Sequence, residues 1–242
     1  MTVEIIVPFY GAGADRTIAL DWVSSRWPYA HRIAPDAGEL PHSKGRALWP
    51  AVRDSDADII VLHDADVWCP GLPEAVQAVI DGQAWAVPHD RVHRLSQDGT
   101  ARLLEETEGW SREPLMAAGV DWRRLPLAQP PYQGVLGGGI LVASRSVLLE
   151  APVDGRFLDW GQEDEAHGIA LHCLHGRAWR GDADLMHLWH PPQPRMSRRV
   201  GTRAGYELCS RYRAARRDPV KMRALVAEAR DMLRERLPAG VS

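Results

Sequence analysis

A chain of 242 residues with 45% hydrophobic and 25% charged side chains can bury one substantial core, and it is too apolar to be disordered or fibrous. Its formal net charge of -3 gives no global attraction for nucleic acid or an anionic membrane, although basic residues gather near the C-terminus. Cys69, Cys173 and Cys209 lie far apart without a C-x-x-C pair, which argues against a disulfide framework or a Cys-rich zinc site and fits a reducing compartment. Met1 leads almost directly into Ile5-Ile6-Val7, too short an apolar run for a signal segment, and no later stretch reaches the length of a membrane span. A soluble cytoplasmic protein is expected.

In chain order, Val3 to Phe9 reads as a central strand stopped by Pro8, followed by the loop Tyr10-Gly11-Ala12-Gly13, whose glycines permit close backbone approach. Asp15 is a plausible cap for a helix carrying Ile18, Leu20, Trp22 and Val23, and a strand over His31 to Ala34 ends at Asp36. Ser43 caps another helix through Val52, with Pro50 as a kink, and Ile59-Ile60-Val61-Leu62 then forms a buried strand running into His63-Asp64-Ala65-Asp66. This alternation predicts an α/β fold with a largely parallel sheet and helices on both faces. It puts Tyr10, Asp36 and Asp64 at successive strand ends along one ligand-binding edge.

Pro70 to Ile80 reads as the next helix and Ala84 to Val87 as a strand. From Gly109 to Gly139 the pattern is irregular, with Trp110, Trp122, Pro126, Pro130, Pro131 and Tyr132, as in lids and binding loops. A strand over Ile140 to Ala143, a short helix over Ser146 to Glu150 and a helix over Gly161 to His175 follow. The tail from Arg203 to Leu237 carries two helical patterns split by Asp218-Pro219.

Three groups of residues carry the chemistry. Asp64 and Asp66, one residue apart at a strand end, are expected to point the same way, and two like charges held together suit a dication or a bound hydroxyl. An isolated Asp-x-Asp also arises by chance as an acidic turn. Trp160-Gly161-Gln162-Glu163-Asp164-Glu165 gathers acids at a helix start, which the macrodipole alone would favour. The preceding Trp and Gly add a flat apolar face for a sugar ring and room for close approach, beside a carboxylate able to take a hydroxyl proton. His187 and His190, flanked by Trp189 and Pro191-Pro192, could serve as cation ligands, His190 the more so because the prolines fix the chain. The cluster His167, His172, Cys173 and His175 lacks zinc spacing and reads as structural.

The ordered set Ile5 to Tyr10, Asp64-Ala65-Asp66, Gly137-Gly138-Gly139, Trp160 to Asp164, His187 and His190 resembles GT-A-type glycosyltransferases. It is most similar to families with a Trp-Gly-x-Glu-Asp segment: β-1,4-galactosyltransferases, chondroitin-synthesising enzymes and polypeptide N-acetylgalactosaminyltransferases. The resemblance implies a single Rossmann-like catalytic domain over residues 1–195, with a basic helical extension over 196–242. It implies transfer of a hexose or N-acetylhexosamine from a UDP-sugar, with Mn²⁺ or Mg²⁺, to an acceptor hydroxyl on a glycan, a protein or a modified nucleic acid. By the same resemblance Asp66 and His190 are metal ligands, with Asp64 and His187 as less secure ones. Asp164 is the general base of an inverting reaction, and Glu163 orients hydroxyls. Pro8, Tyr10, Asp36, Lys44, Arg46, Asp64, Gly138, Gly139 and Trp160 surround the nucleotide-sugar. Gln162 departs from the family segment, which has Gly there, and a retaining course stays open.

Arg195, Arg198, Arg199, Arg203, Arg211, Arg213, Arg216 and Arg217 form the basic excess, available to an acidic acceptor or partner or simply a solvated helical face. A nucleotidyltransferase of similar build would want a phosphate loop running into a basic residue, whereas Gly11-Ala12-Gly13 runs into Ala14-Asp15. A non-catalytic carbohydrate- or nucleic-acid-binding module would leave the ordered acids unexplained.

Overall fold

The structure, a computed structural model, describes residues 1–10, 13–35, 41–108, 121–192, 196–197 and 200–236. Asp36, Gly11, Ala12, Trp110, Arg195, Arg198 and Arg199 lie outside the described residues. In chain order the elements begin β1 (Val3–Phe9), α1 (Ala14–Ser24), β2 (Ala30–Pro35), α2 (Lys44–Arg53), β3 (Ile59–His63), β4 (Val67–Trp68), α3 (Leu72–Ile80), β5 (Trp85–Arg94) and α4 (Gln97–Glu106). They continue with β6 (Tyr132–Gln133), β7 (Ile140–Ser144), α5 (Arg145–Glu150), α6 (Glu163–His175), β8 (Trp179–His187), α7 (Arg203–Ala215) and α8 (Pro219–Arg236).

The strands form one sheet in the order β2-β1-β3-β7-β5-β8-β4, with β6 on β5. The α/β class holds, but the sheet is mixed where a largely parallel one was expected. β1 runs parallel to β2 and β3, and β5 to β8, while β3/β7, β5/β7, β4/β8 and β5/β6 are antiparallel. The antiparallel pairs come from β7, which lies between β3 and β5 and runs against both, and from the short strands β4 and β6.

Alternation along the strands sorts the core into two layers. Ile5, Val7, Ile59 and Val61 face a cluster with Leu20 and Val23 of α1, Val76 and Val79 of α3 and Leu103 of α4. Ile6, Ile60 and Leu62 face the other way, onto Leu48 of α2, Leu148 of α5, Leu171 of α6, Tyr212 of α7 and Leu225 of α8. The tail helices are thus part of the second layer. They are fastened by the Tyr212 hydroxyl donating to Asp154 at 2.8 Å and by Arg156, which bridges Asp154 and Glu228. Several tail arginines are used internally: Arg211 pairs with Glu228, Arg203 with Glu207, and Arg213 holds both oxygens of Glu165 at 2.7 Å. No helix among the described residues is long and apolar enough to cross a membrane.

One local expectation changes and another holds. Asp15 sits inside the first turn of α1 and the cap position is Gly13, with no side-chain bond. Ser43 does cap α2, its hydroxyl accepting from the Arg46 amide at 3.4 Å, and the helix runs on through Pro50.

Candidate functional site

A cleft of about 850 Å³ opens along the edge where β1 and β3 end, and twelve sequence-predicted residues line it: Pro8, Tyr10, Lys44, Asp64, Asp66, Gly138, Gly139, Trp160, Glu163, Asp164, His187 and His190. Arg46 is off the cleft. It lies two residues beyond Lys44 on α2, about 200° further round the helix, and its Nε donates to the Gly155 carbonyl at 3.0 Å.

The two aspartates do not share a partner. β3 ends at His63, so Asp64 and Asp66 occupy the turn before β4, where strand alternation no longer sets their direction. Asp66 joins His187 and His190, with the ligand atoms of the three within 4.8 Å of one another. Antiparallel pairing of β4 with β8 sets Val67 opposite His187, and the Leu188 amide donates to the Asp66 carbonyl at 2.8 Å. The Trp189 amide is held by the Thr100 hydroxyl of α4 at 2.8 Å, which steadies the turn carrying His190.

The donor set has the chemistry of a cation site. His187 Nδ1 donates to the Leu188 carbonyl at 2.6 Å and His190 Nδ1 to the Pro191 carbonyl at 2.8 Å, since a carbonyl can only accept. A ring bonded in this way presents a bare Nε2 lone pair in its neutral form, and the two Nε2 atoms lie 3.8 and 3.3 Å from the Asp66 carboxylate oxygens. Burial lowers the His187 pKa to about 4, so the ring is neutral near pH 7. Lone pairs facing a carboxylate repel, and a shared divalent ion removes the conflict. Burial would raise Asp66, but nearby charge holds the carboxyl below its ordinary range: His187 and His190 contribute only when protonated, whereas the Arg16 guanidinium is charged throughout.

The second half of the cleft is built around Lys44. The Asp159 amide donates to the His42 carbonyl at 2.7 Å, which brings the start of α2 beside the start of α6. The Lys44 ammonium lies 2.7 Å from Asp64 Oδ1 and 2.7 Å from Asp164 Oδ1, and its side chain is 13% exposed. Burial would lower the Lys44 pKa, but Asp164 and Asp64 raise it well above the ordinary lysine value. Burial raises Asp164, opposed by Lys44. Glu163 accepts from the Gly161 amide at 2.9 Å, and burial with the Asp164 charge pushes its carboxyl to about 7.

The glycine loop lies between these groups. Gly139, at φ 80°, offers its carbonyl to the Asp64 amide at 2.8 Å, and a Cβ there would meet Leu185 at 2.9 Å. Asp164 Oδ2, the oxygen Lys44 does not take, lies 3.5 Å from where a Cβ on Gly138 would stand. Trp160 is 37% exposed at the rim. His167 is spoken for by the Ala151 carbonyl at 2.9 Å, in keeping with a structural role.

Sequence reasoning missed Arg16, His42 and Arg94, which also line the cleft. The His42 and Tyr10 rings are 5.2 Å apart and Arg16 Nη2 is 3.4 Å from Asp66 Oδ2. None belongs to a motif. The usable signal was position alone, each lying within a few residues of a β-strand or helix end on the ligand edge.

No protein-family model matches the sequence, and no curated protein matches it. Among solved structures, the fold is similar to that of glucosyl-3-phosphoglycerate synthase from Mycobacterium tuberculosis in complex with phosphoglyceric acid, at 16% identity over 93% of this chain and 80% of that one, with a TM-score of 0.45. The same enzyme in complex with Mn²⁺, UDP-glucose and glycerol 3-phosphate gives 16% identity, the same coverage and a TM-score of 0.44. Its complex with Mn²⁺, UDP and phosphoglyceric acid gives 19% identity over 80% of this chain and 72% of that one, with a TM-score of 0.43. Likenesses this distant assign the chain neither a family nor an activity.

Proposed function

We propose that the chain is a metal-dependent glycosyltransferase that moves a hexose or N-acetylhexosamine from a UDP-sugar to an acceptor hydroxyl, with inversion and with Asp164 as general base. The observation that carries this reading is the division of one cleft into a cation donor set, Asp66 with His187 and His190, and a separate acid pair, Glu163 and Asp164, of which Asp164 shares the Lys44 ammonium with Asp64. Sugar transfer needs that separation, because the departing diphosphate must be neutralised on one side while the attacking hydroxyl loses its proton on the other.

The donor set fits a divalent ion, and two imidazoles with one carboxylate suit Mn²⁺ better than Mg²⁺, which prefers oxygen ligands. Bound there, the ion would supply Lewis-acid neutralisation of the diphosphate. The chain's own groups do the rest. Asp164 Oδ2 takes the acceptor hydroxyl proton as the acceptor oxygen bonds to the anomeric carbon and the bond to the diphosphate oxygen breaks. Lys44 opposes the rise that burial gives the Asp164 pKa, which favours the ionised form needed for that task. Glu163, anchored on the Gly161 amide, orients hydroxyls, Trp160 offers its face to a sugar ring, and Tyr10 borders the nucleotide beside the Gly138-Gly139 loop. The acceptor can be a glycan, a protein or a modified nucleic acid.

The test is Asp164→Asn in a transfer assay with the donor found by screening UDP-sugars. Binding of Mn²⁺ and donor should persist while transfer falls about 10²- to 10⁴-fold. Full transfer by Asp164→Asn would remove the base assignment.

A further inference from the structure

Arg16, in the first turn of α1, pairs with the cation site it adjoins. Its Nη2 is 3.4 Å from Asp66 Oδ2, the same oxygen that His190 Nε2 approaches at 3.3 Å. Its Nε is buried without a hydrogen-bond partner, and so is the Nε of Arg94, which lines the same cleft and bears on Asp66 and His187. Asp66 is thus one carboxylate claimed by two kinds of cation, a guanidinium of the chain and any dication seated among the three ligands. Both cannot sit at full strength against one oxygen, since they repel each other.

We propose that Arg16 is a latch that couples metal to anion: it neutralises Asp66 while the metal site is empty, and a dication on Asp66 displaces it into the cleft, where its guanidinium grips a diphosphate oxygen. This rests on the reading of the cleft as a site for a metal ion and a nucleoside diphosphate. The charges favour it. With a dication in place Asp66 is shared out, and Arg16 and Arg94 add two positive charges with unspent donors, a surplus that only a multiply charged anion cancels. Guanidinium also matches phosphate oxygens in fork geometry, which lysine does not. Coupling of this kind is reciprocal, so diphosphate must strengthen metal binding as much as metal strengthens diphosphate.

The latch makes predictions of opposite sign for one substitution. In Arg16→Met, Mn²⁺ alone should bind tighter, by roughly five- to tenfold, because its competitor for Asp66 is gone, while UDP or inorganic pyrophosphate in saturating Mn²⁺ should bind about tenfold weaker. Arg16→Lys keeps the competing charge, so its Mn²⁺ affinity should stay within about twofold of wild type while pyrophosphate weakens. Titration calorimetry and Mn²⁺ electron paramagnetic resonance read both without catalysis. Damage to the fold would weaken both ligands together. Unchanged or weaker Mn²⁺ binding by a folded Arg16→Met overturns the latch and leaves the cleft reading standing. Wild-type protein that binds no Mn²⁺, or binds it equally well as Asp66→Ala, overturns the cleft reading and the latch with it.

Discussion

Lys44 and Asp164 meet at 2.7 Å although 120 residues separate them in the chain. The same ammonium reaches Asp64, so one cation ties the turn after β3 to the first turn of α6 and sets the charge of the proposed base. Lys44 lowers the Asp164 pKa against burial, which raises it. Replacing Lys44 by Met should therefore raise the Asp164 pKa and move the acidic limb of the kcat/KM profile to higher pH, beyond any loss of rate. Lys44→Arg, which keeps the charge, should move it back towards wild type. A profile for Lys44→Met that keeps the wild-type acidic limb would show that Lys44 does not set the base.

Glu163 gives a stability counterpart. Its carboxyl, pushed up to about 7 by burial and by the Asp164 charge, favours the folded chain when protonated. That contribution is complete below the unfolded value near 4.3 and is lost as pH rises through about 7. Glu163→Gln cannot ionise, so at pH 8 it should be more stable than wild type by roughly 1 to 3 kcal/mol, with the gap closing towards pH 4. Urea unfolding at the two pH values checks this, and an equal gap at both would refute it.

Gln162 holds φ at 75° at the start of α6, in the left-handed region, and its side-chain oxygen is buried without a partner. Glycine carries no Cβ strain there. Gln162→Gly should raise stability by about 1 kcal/mol, read as an increase in Tm. A fall in Tm would mean that the Gln side chain stabilises the turn.

Much of this was legible because the signals were local. β1 has the bounds Val3 to Phe9 that its apolar run implies, although Pro8, expected to stop it, lies inside it in register with Ala34 of β2, and α7 and α8 divide at Asp218-Pro219 as the proline requires. What escaped depended on distant partners. β8 reads as a polar stretch with Gly181, Asp182 and Asp184, and only its pairing with β5 and β4 makes it a strand. α4 was hidden in the same way, its amphipathic face being short and its Thr100 meaningful only through Trp189. The different partners of Asp64 and Asp66 followed from β3 ending at His63. That end is fixed by Trp27 Nε1 donating to His63 Nε2 at 3.2 Å while His63 Nδ1 donates to the Asp64 carbonyl at 2.8 Å, a relay no spacing rule reveals.

The most direct test of the account is release of UDP from a panel of UDP-sugars in the presence of Mn²⁺, with wild type and Asp66→Ala side by side. Wild type should slowly hydrolyse at least one donor, and EDTA or Asp66→Ala, in a protein that remains folded, should abolish this. Equal binding and hydrolysis by Asp66→Ala, or a wild type that neither binds nor hydrolyses any donor, would contradict it.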